Sequence, residues 1–519
     1  MSKRVDEPVS KRGKVYLVGA GPGAADLITV RGAAILREAG VVVYDYLASP
    51  ELLRLAPAGA ELIYAGKKGG GERSFGQAGI NHLLIEHARA GKSVVRLKGG
   101  DPFIFGRGGE EAEALAAAAI DFEVVPGVTS AIAAPAFAGI PLTHREHGSF
   151  VAFLTGHEDV GKDPEAALPW NELARAARGR GTLVLLMATT RMREHLARLI
   201  NAGLPAETPA AAIQWATTAA QRTIAATLGT LADEAGRAAL AAPAVVVVGE
   251  CAALRPTLGW FEKLPLHGRR IVVTRAARNA GMLAGKLRAL GAEPVEFPAI
   301  ETTAPDSYET LDQAIANLAA FDWIVFTSAT GVDNFIARIR AIGHDLRELG
   351  RALLAAIGPA TAERLSRHAL KVAAMPAEYR AEAVIDAIGT ARISGARILI
   401  PRAQVAREIL PQLLIERGAR EVVVAPAYKT VIPAGVNVER VRDLIAAGGL
   451  DLVTFTSSST VTNFRELVGE AAAGVKAAAI GPITAETARN LGFEVVVCPA
   501  AYTVDALVTA IIGHFAAHG

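Results

Sequence analysis

The densest run of residues able to do chemistry is Val94 to Glu111, VVRLKGGDPFIFGRGGEE. A short apolar strand, Val94 to Leu97, breaks into Gly99-Gly100 and Asp101-Pro102. Phe103, Ile104 and Phe105 follow, then Gly106, Gly108 and Gly109, with a helix opening near Glu110. Paired glycines after a strand let a ligand approach the backbone, because no Cβ stands in the way. Asp101 adds an acceptor, and the helix start adds unpaired N–H groups. Asp45 closes the strand Val41 to Tyr44, and Lys67-Lys68 close the next strand one βα-sized interval later. A lysine pair at a strand end is often a solvated edge. At this spacing, however, carboxylate and ammonium can face one cleft at the carboxyl ends of parallel strands.

An earlier glycine motif, Gly19-Ala20-Gly21-Pro22-Gly23-Ala24, follows the buried-strand pattern Val15 to Val18 and precedes a helix expected over Leu27 to Ala39. Gly19, Gly21 and Ala24 fit GxGxx(G/A), and Asp45 could hold a ribose, so a nicotinamide or flavin site is one reading. Pro22 counts against it, since it stiffens the loop and removes an N–H that a pyrophosphate would use. The second glycine loop at Gly99 is also unexplained by a dinucleotide site.

The elements behind these loops are short apolar strands alternating with helices, the pattern of parallel α/β lobes. At 519 residues the chain exceeds one core, and its length suggests about three or four domains. A net charge of +2 argues against an extended nucleic-acid surface. Cys251 and Cys498 lie far apart on strand-like runs, which suggests core thiols and a reducing cytoplasm. Residues 1–13 read as a polar tail without a signal-peptide core, and no run reaches the length of a membrane span.

After Gly268 the sequence repeats itself. Residues 268–276 match 395–403, 321–328 match 450–457, and 356–362 match 479–485, in the same order at a nearly constant offset. That is a duplication of a small parallel α/β lobe. Thr327, Ser328, Ser457, Ser458 and Thr484 stand at strand ends, where hydroxyls and helix N-termini suit carboxylates; Ser and Thr there also serve as helix N-caps. No Ser-His-Asp or metal constellation is evident, so no metal is expected. His144 alone reads as a structural histidine.

GGDPFIFGRGGEE, with GxGPG at Gly19 and LITVRGAAIL at residues 27–36, resembles the uroporphyrinogen-III C-methyltransferases of the tetrapyrrole methylase superfamily over about residues 14–262. The resemblance implies an S-adenosylmethionine cleft held by Pro22, Gly99, Gly100, Asp101, Ile104, Thr129, Ser130, Met187 and Ala216. It makes Asp45 the proton acceptor and Lys67 the proton donor, with Lys68, Arg107 and Arg145 for the peripheral carboxylates of a tetrapyrrole. Ala24 replaces an acidic residue of the pattern, Leu186-Met187-Ala188 replaces YMG, and Ala216 replaces a glycine, so extra methyls would narrow the adenine pocket.

From about Gly268 onward the chain resembles uroporphyrinogen-III synthases, through TSxxGV at Thr327 to Val332 and APAYKT at Ala425 to Thr430. Tyr428 matches the family tyrosine that assists loss of the substrate hydroxyl, and Thr327, Ser328, Ser457, Ser458 and Thr484 would line the substrate cleft. Together the resemblances imply α/β lobes at 14–142 and 143–262, a linker at 263–267, and exchanged lobes at 268–302 plus 433–519 and at 303–432. They also imply a homodimer through the first half. A bifunctional enzyme of siroheme and cobalamin synthesis is expected, with a nicotinamide oxidoreductase and a non-catalytic tetrapyrrole-binding second half as rivals.

Overall fold

The computed structural model describes residues 13–66, 75–156, 168–275, 277–376, 381–405 and 409–518. Twenty strands form four five-stranded sheets among them. The chain divides into two compact units, the first holding two sheets and the second the other two.

In the first unit, β1 (Val15–Gly19), β2 (Val41–Tyr44), β3 (Glu61–Tyr64), β4 (Val94–Lys98) and β5 (Phe122–Val125) pair in parallel in the order β3-β2-β4-β1-β5. A parallel sheet is covered by helices on both faces, so β1 and β2 carry largely unbroken rather than alternating apolar character, whereas β4 sets Arg96 and Lys98 among its apolar residues. Val15, Leu17, Val41, Val43 and Val94 are buried in one cluster with Leu84 and Leu115 from the covering helices. The helix expected from Leu27 begins instead at Val30, because the Thr29 hydroxyl accepts from Gly32 N–H and caps Val30–Leu36.

The unit's other sheet contains β6 (Phe150–Thr155), β7 (Gly181–Leu186), β8 (Pro209–Gln214), β9 (Arg222–Thr227) and β10 (Ala244–Val248) in the order β6-β7-β10-β8-β9. Only β6 and β7 run parallel; β10 is antiparallel to both β7 and β8, and β8 to β9. Residues 215–221 connect the antiparallel strands β8 and β9. After β10, Trp260 and Phe261 fold back on Phe137, with ring centroids 5.1 and 4.9 Å away, and Trp260 Nε1–H donates to Ala136 O.

In the second unit, β11 (Arg270–Val273), β12 (Glu293–Glu296), β18 (Leu452–Phe455), β19 (Lys476–Ala479) and β20 (Glu494–Val497) form one sheet, ordered β12-β11-β18-β19-β20. The other contains β13 (Glu301–Thr303), β14 (Trp323–Phe326), β15 (Leu353–Ala356), β16 (Arg397–Ala403) and β17 (Glu421–Val431), ordered β13-β17-β16-β14-β15. Four strands correspond across the repeat, β12-β11-β18-β19 with β17-β16-β14-β15, so the duplication read in the sequence is a duplication of topology. One sheet thus joins segments on either side of the other sheet's sequence, and β13 pairs antiparallel with β17 at its edge. Cys251 is buried, but Cys498 is exposed, one residue beyond the end strand β20; the expected core thiol there is corrected by its position at the sheet edge.

Candidate active sites

Strands β1, β4 and β5 end together, and their loops interlock through glycines. Gly21 N–H donates to Gly100 O at 3.2 Å, and Gly100 N–H returns to Gly21 O at 2.7 Å. A Cβ on Gly19 would lie 2.5 Å from Gly127 Cα, and one on Gly127 would lie 2.2 Å from Gly100 O. Three backbones therefore meet where no side chain could fit. Asp101 fastens them: Oδ1 accepts from Phe103 and Ile104 N–H at 2.8 and 3.2 Å, and Oδ2 from Gly127 N–H at 3.0 Å. Its carboxylate is thus engaged by backbone donors, a structural task that the sequence reading as a ligand acceptor did not include. Gly100 faces Thr129 and Ser130, and the Thr129 hydroxyl, accepting from Ala131 N–H, caps the helix Ser130–Ala138.

The second sheet closes this side of the cleft. Pro22 lies in the β1 loop, where Ala24 N–H donates to Thr217 Oγ1 at 3.0 Å, and a Cβ on Gly23 would meet Thr218 and Ala216 O. Met187, Trp215 and Thr217 all have positive φ, of 57°, 48° and 69°. Such backbone costs about 1–3 kcal/mol per residue and gathers at ligand sites. Hydrogen bonds hold it here, from Trp215 N–H to Pro243 O and from Thr217 N–H to Gln221 Oε1. Met187, Ile104, Phe103 and Phe105 are each exposed apolar side chains.

Two of the alanines that depart from the family pattern, Ala188 and Ala216, are buried. Ala216 is buried in the core with Ala131, Ala134 and Ile213. Ala188 is buried against Gly156, whose missing Cβ leaves the room: one built there would lie 2.6 Å from the Ala188 methyl. Both methyls pack against other protein atoms.

Asp45 sits at the end of β2 with Oδ1 accepting from Leu47 N–H at 3.2 Å and Oδ2 from Arg96 Nη2 at 3.3 Å. Lys67 and Lys68 lie outside the described residues. Arg107, at φ 58°, forms a two-bonded ion pair with Glu110 at 2.8 and 2.7 Å, and Arg145 is exposed. Arg145 belongs to a tight turn in which His144 N–H donates to Gly148 O and Glu146 N–H donates to His144 Nδ1. Among the described residues, His144, Glu146 and His147 are one cluster that could hold a metal ion. The Glu146 N–H already occupies His144 Nδ1, so coordination by that ring would use Nε2.

The sequence reading missed Arg96, Lys98 and Glu111. It took β4 as an apolar strand, yet Arg96 and Lys98 are 4% exposed and Glu111 is fully buried. Glu111 Oε1 accepts from Arg96 Nε at 3.2 Å and from Lys98 Nζ at 2.9 Å. The available signal was two cations two residues apart inside a buried strand, which puts both on one face.

Glu262, just before the expected linker, is a second ionised hub. Burial opposes its charge, but hydrogen bonds from Gln221 and Thr223 and the Arg255 cation outweigh this and hold its carboxyl below the usual range. A depressed carboxyl stabilises the fold above its unfolded value of about 4.3 and loses that contribution as pH falls further. Glu262→Gln is accordingly expected to be less stable at pH 7 by about 1–2 kcal/mol, with a smaller difference at pH 3.5, in urea titrations followed by tryptophan fluorescence. An equal difference at both pH values would refute this.

In the second unit, Ser328 caps the helix Ala329–Ala341 by accepting from Gly331 N–H at 2.9 Å, and Ser457 caps Ser458–Val468. Ser458 Oγ accepts from Thr487 Oγ1, Thr327 is half-buried, and Thr484 is buried, as is its repeat partner Thr361. Tyr428 is 9% exposed, with its hydroxyl 3.2 Å from Ser328 Oγ. Burial pushes the Tyr428 phenol above its usual value, despite the Ser328 hydrogen bond, so it stays protonated through the neutral range. The repeat also places Arg275 and Arg402 at corresponding strand ends, a pair the sequence reading passed over. Arg402 is buried, and burial followed by the nearby Arg364 charge pushes Arg275 below the usual guanidinium range.

Fold and sites together define two α/β units in one chain: a two-sheet unit with an interlocked glycine cleft, and a duplicated unit with a buried tyrosine at its strand ends. Residues 14–232 match the family of Tetrapyrrole (Corrin/Porphyrin) Methylases, and residues 282–509 match Uroporphyrinogen-III synthase HemD. The porphyrin biosynthesis protein HemD of Ruminiclostridium josui is 39% identical over 508 residues, 96% of this chain and 97% of that protein. The S-adenosyl-L-methionine-dependent uroporphyrinogen III methyltransferase of Methanosarcina barkeri is 48% identical over 48% of this chain and 95% of its own length. The uroporphyrinogen-III C-methyltransferase of Bacillus subtilis is 38% identical over 71% of this chain and 74% of its own. The chain belongs to the tetrapyrrole methylase family in its N-terminal half and to the uroporphyrinogen-III synthase family in its C-terminal half.

Proposed function

We propose that this chain is a bifunctional enzyme. Its C-terminal half cyclises hydroxymethylbilane to uroporphyrinogen III, and its N-terminal half methylates that product at C2 and C7 to precorrin-2, in siroheme or cobalamin synthesis. The observation that carries the reading is the glycine interlock of Gly19, Gly100 and Gly127 beside Asp45. S-adenosylmethionine supplies the electrophilic methyl group in such a site, by in-line displacement that calls for no metal. The residues fit it: glycine backbone brings donors close without a phosphate cradle, Thr129 and Ser130 open a helix beside Gly100, and Ile104 and Met187 offer apolar surface. Pro22, Asp101 and Ala216 shape the same loops. Asp45 accepts the proton that methylation of a pyrrole carbon releases, and Lys67 donates one; Lys68, Arg107 and Arg145 meet substrate carboxylates. The protein works in the cytoplasm as a homodimer through its first half.

In the second half, Thr327, Ser328, Ser457, Ser458 and Thr484 line the bilane site. There Tyr428 holds a proton near the departing hydroxyl, and the folded shape of the substrate is imposed by position. Tyr428→Phe is expected to lower uroporphyrinogen III formation on the order of 100-fold without unfolding, since the ring's packing is kept. Unchanged type III output would remove Tyr428 from the chemistry.

The test of the whole reading is a one-pot assay of the purified chain with hydroxymethylbilane, with and without S-adenosylmethionine. Uroporphyrinogen III alone, converted to precorrin-2 when the cofactor is added, supports both activities. The type I isomer alone would refute the synthase, and type III product that stays unmethylated would refute the methylase. Thermal stabilisation by NAD rather than by S-adenosylhomocysteine would restore the dinucleotide reading.

A further inference from the structure

Beside the cleft lies a buried set of charges to which methyl transfer, as proposed above, gives no task. Arg96 and Lys98 project from the same face of β4, and Glu111 comes up from the helix Gly108–Ala117. Arg96 serves four acceptors at once: Nε donates to Glu111 Oε1 at 3.2 Å, Nη2 to Asp45 Oδ2 at 3.3 Å, and Nη1 to Val43 O and Leu97 O at 3.4 and 3.3 Å. Lys98 Nζ takes the same Glu111 oxygen at 2.9 Å, and Gln77 Nε2 reaches it at 3.3 Å. Glu111 Oε2 has no partner among the described residues.

Two buried cations around one buried carboxylate, with the partly exposed Asp45 at the edge, are a poor device for stability, because desolvation offsets most of the attraction. It is a good device for fixing an orientation. Asp45 shows what is oriented: one oxygen is tied to the turn at Leu47 N–H and the other to Arg96, so the carboxylate cannot rotate without breaking one contact. Only a guanidinium has the planar fork of donors to bind Asp45, Glu111 and two carbonyls together; a lysine ammonium has three donors at one point.

We propose that Arg96 is a positioning residue for methyl transfer, aiming the Asp45 carboxylate, while Glu111, itself held by Lys98, fixes Arg96. The inference rests on the methylase reading, with Asp45 as the proton acceptor. Arg96→Lys is expected to lower kcat for precorrin-2 formation on the order of 10- to 100-fold, the usual effect of misplacing a reacting group by a fraction of an ångström to one ångström. KM for uroporphyrinogen III and affinity for S-adenosylhomocysteine should stay within about threefold, because no substrate or cofactor contact is removed.

A purely structural ion pair could also lower activity, so the deciding experiment is a double-mutant cycle in the full chain. If Arg96 acts through Asp45, adding Arg96→Lys to Asp45→Asn costs less than about twofold further; independent losses would multiply and overturn the proposal. Full kcat in Arg96→Lys overturns it as well. Should Arg96→Lys not fold, the partly exposed Asp45 offers a second route. Asp45→Glu keeps the charge but moves the carboxylate off the Arg96 contact: losing as much kcat as Asp45→Asn supports positioning, and wild-type kcat refutes it. If wild-type enzyme does not methylate uroporphyrinogen III, it is the function that fails, and this is seen before any variant is read.

Discussion

Gly127→Ala is expected to lower affinity for S-adenosylhomocysteine on the order of 100-fold, measured by titration calorimetry on the full chain. The added methyl would stand 2.2 Å from Gly100 O and 2.7 Å from Gly19 Cα. Both obstacles are backbone, so no rotamer change relieves them, and the three loops must separate. Overpacking of this kind costs about 1–3 kcal/mol or more, and about 2.7 kcal/mol corresponds to 100-fold in binding. Separation would also strain the Gly127 N–H to Asp101 bond, which links the loops carrying Ile104 and Thr129. Gly109→Ala is the control within the same glycine-rich run: a Cβ there meets nothing within 4 Å, and binding should be unchanged. Wild-type affinity in Gly127→Ala would mean that the interlock does not build the cofactor site.

The second large effect is on stability. Glu111→Ala would leave Arg96 and Lys98 buried without their shared carboxylate. Breaking a buried ion pair from one side costs about 3–5 kcal/mol. In a unit of this size that lowers Tm by roughly 2–4 °C per kcal/mol, or about 6–20 °C for the methylase transition in calorimetry. The loss has a definite pH dependence. Burial, then the Arg96 charge, already pushes the Lys98 ammonium below its usual range, against the pull of Glu111. Without Glu111 the folded state binds that proton still less tightly than the unfolded chain does. The penalty should therefore shrink as pH rises from 7 towards the unfolded lysine value of about 10.4. A Tm within 2–3 °C of wild type at pH 7, about 1 kcal/mol, would show that water reaches and solvates the two cations.

The sequence by itself determined the class of the fold and the identity of the loops that matter. Short unbroken β-branched runs such as Val41 to Tyr44, bounded by turn residues, fit buried strands, and a glycine pair directly after a strand has a local reason to exist. The repeated blocks around Arg275 and Arg402 announced a duplicated lobe, because a duplication leaves its record in the chain itself. What the tertiary structure alone decided were matters of distance between residues far apart in sequence. Asp101 reads as a ligand acceptor until Gly127, 26 residues on, is seen donating to it. Ala188 departs from the family pattern, and only the fold shows that its methyl faces Gly156. In the second sheet of the first unit β8, β9 and β10 are antiparallel, which only the structure shows, because strand direction depends on how the connections cross and periodicity carries no sign of it. Arg96 and Lys98 were in plain view inside β4, but a buried charge is tolerable only with its partner, and the partner, Glu111, is supplied by a helix that the sequence cannot dock.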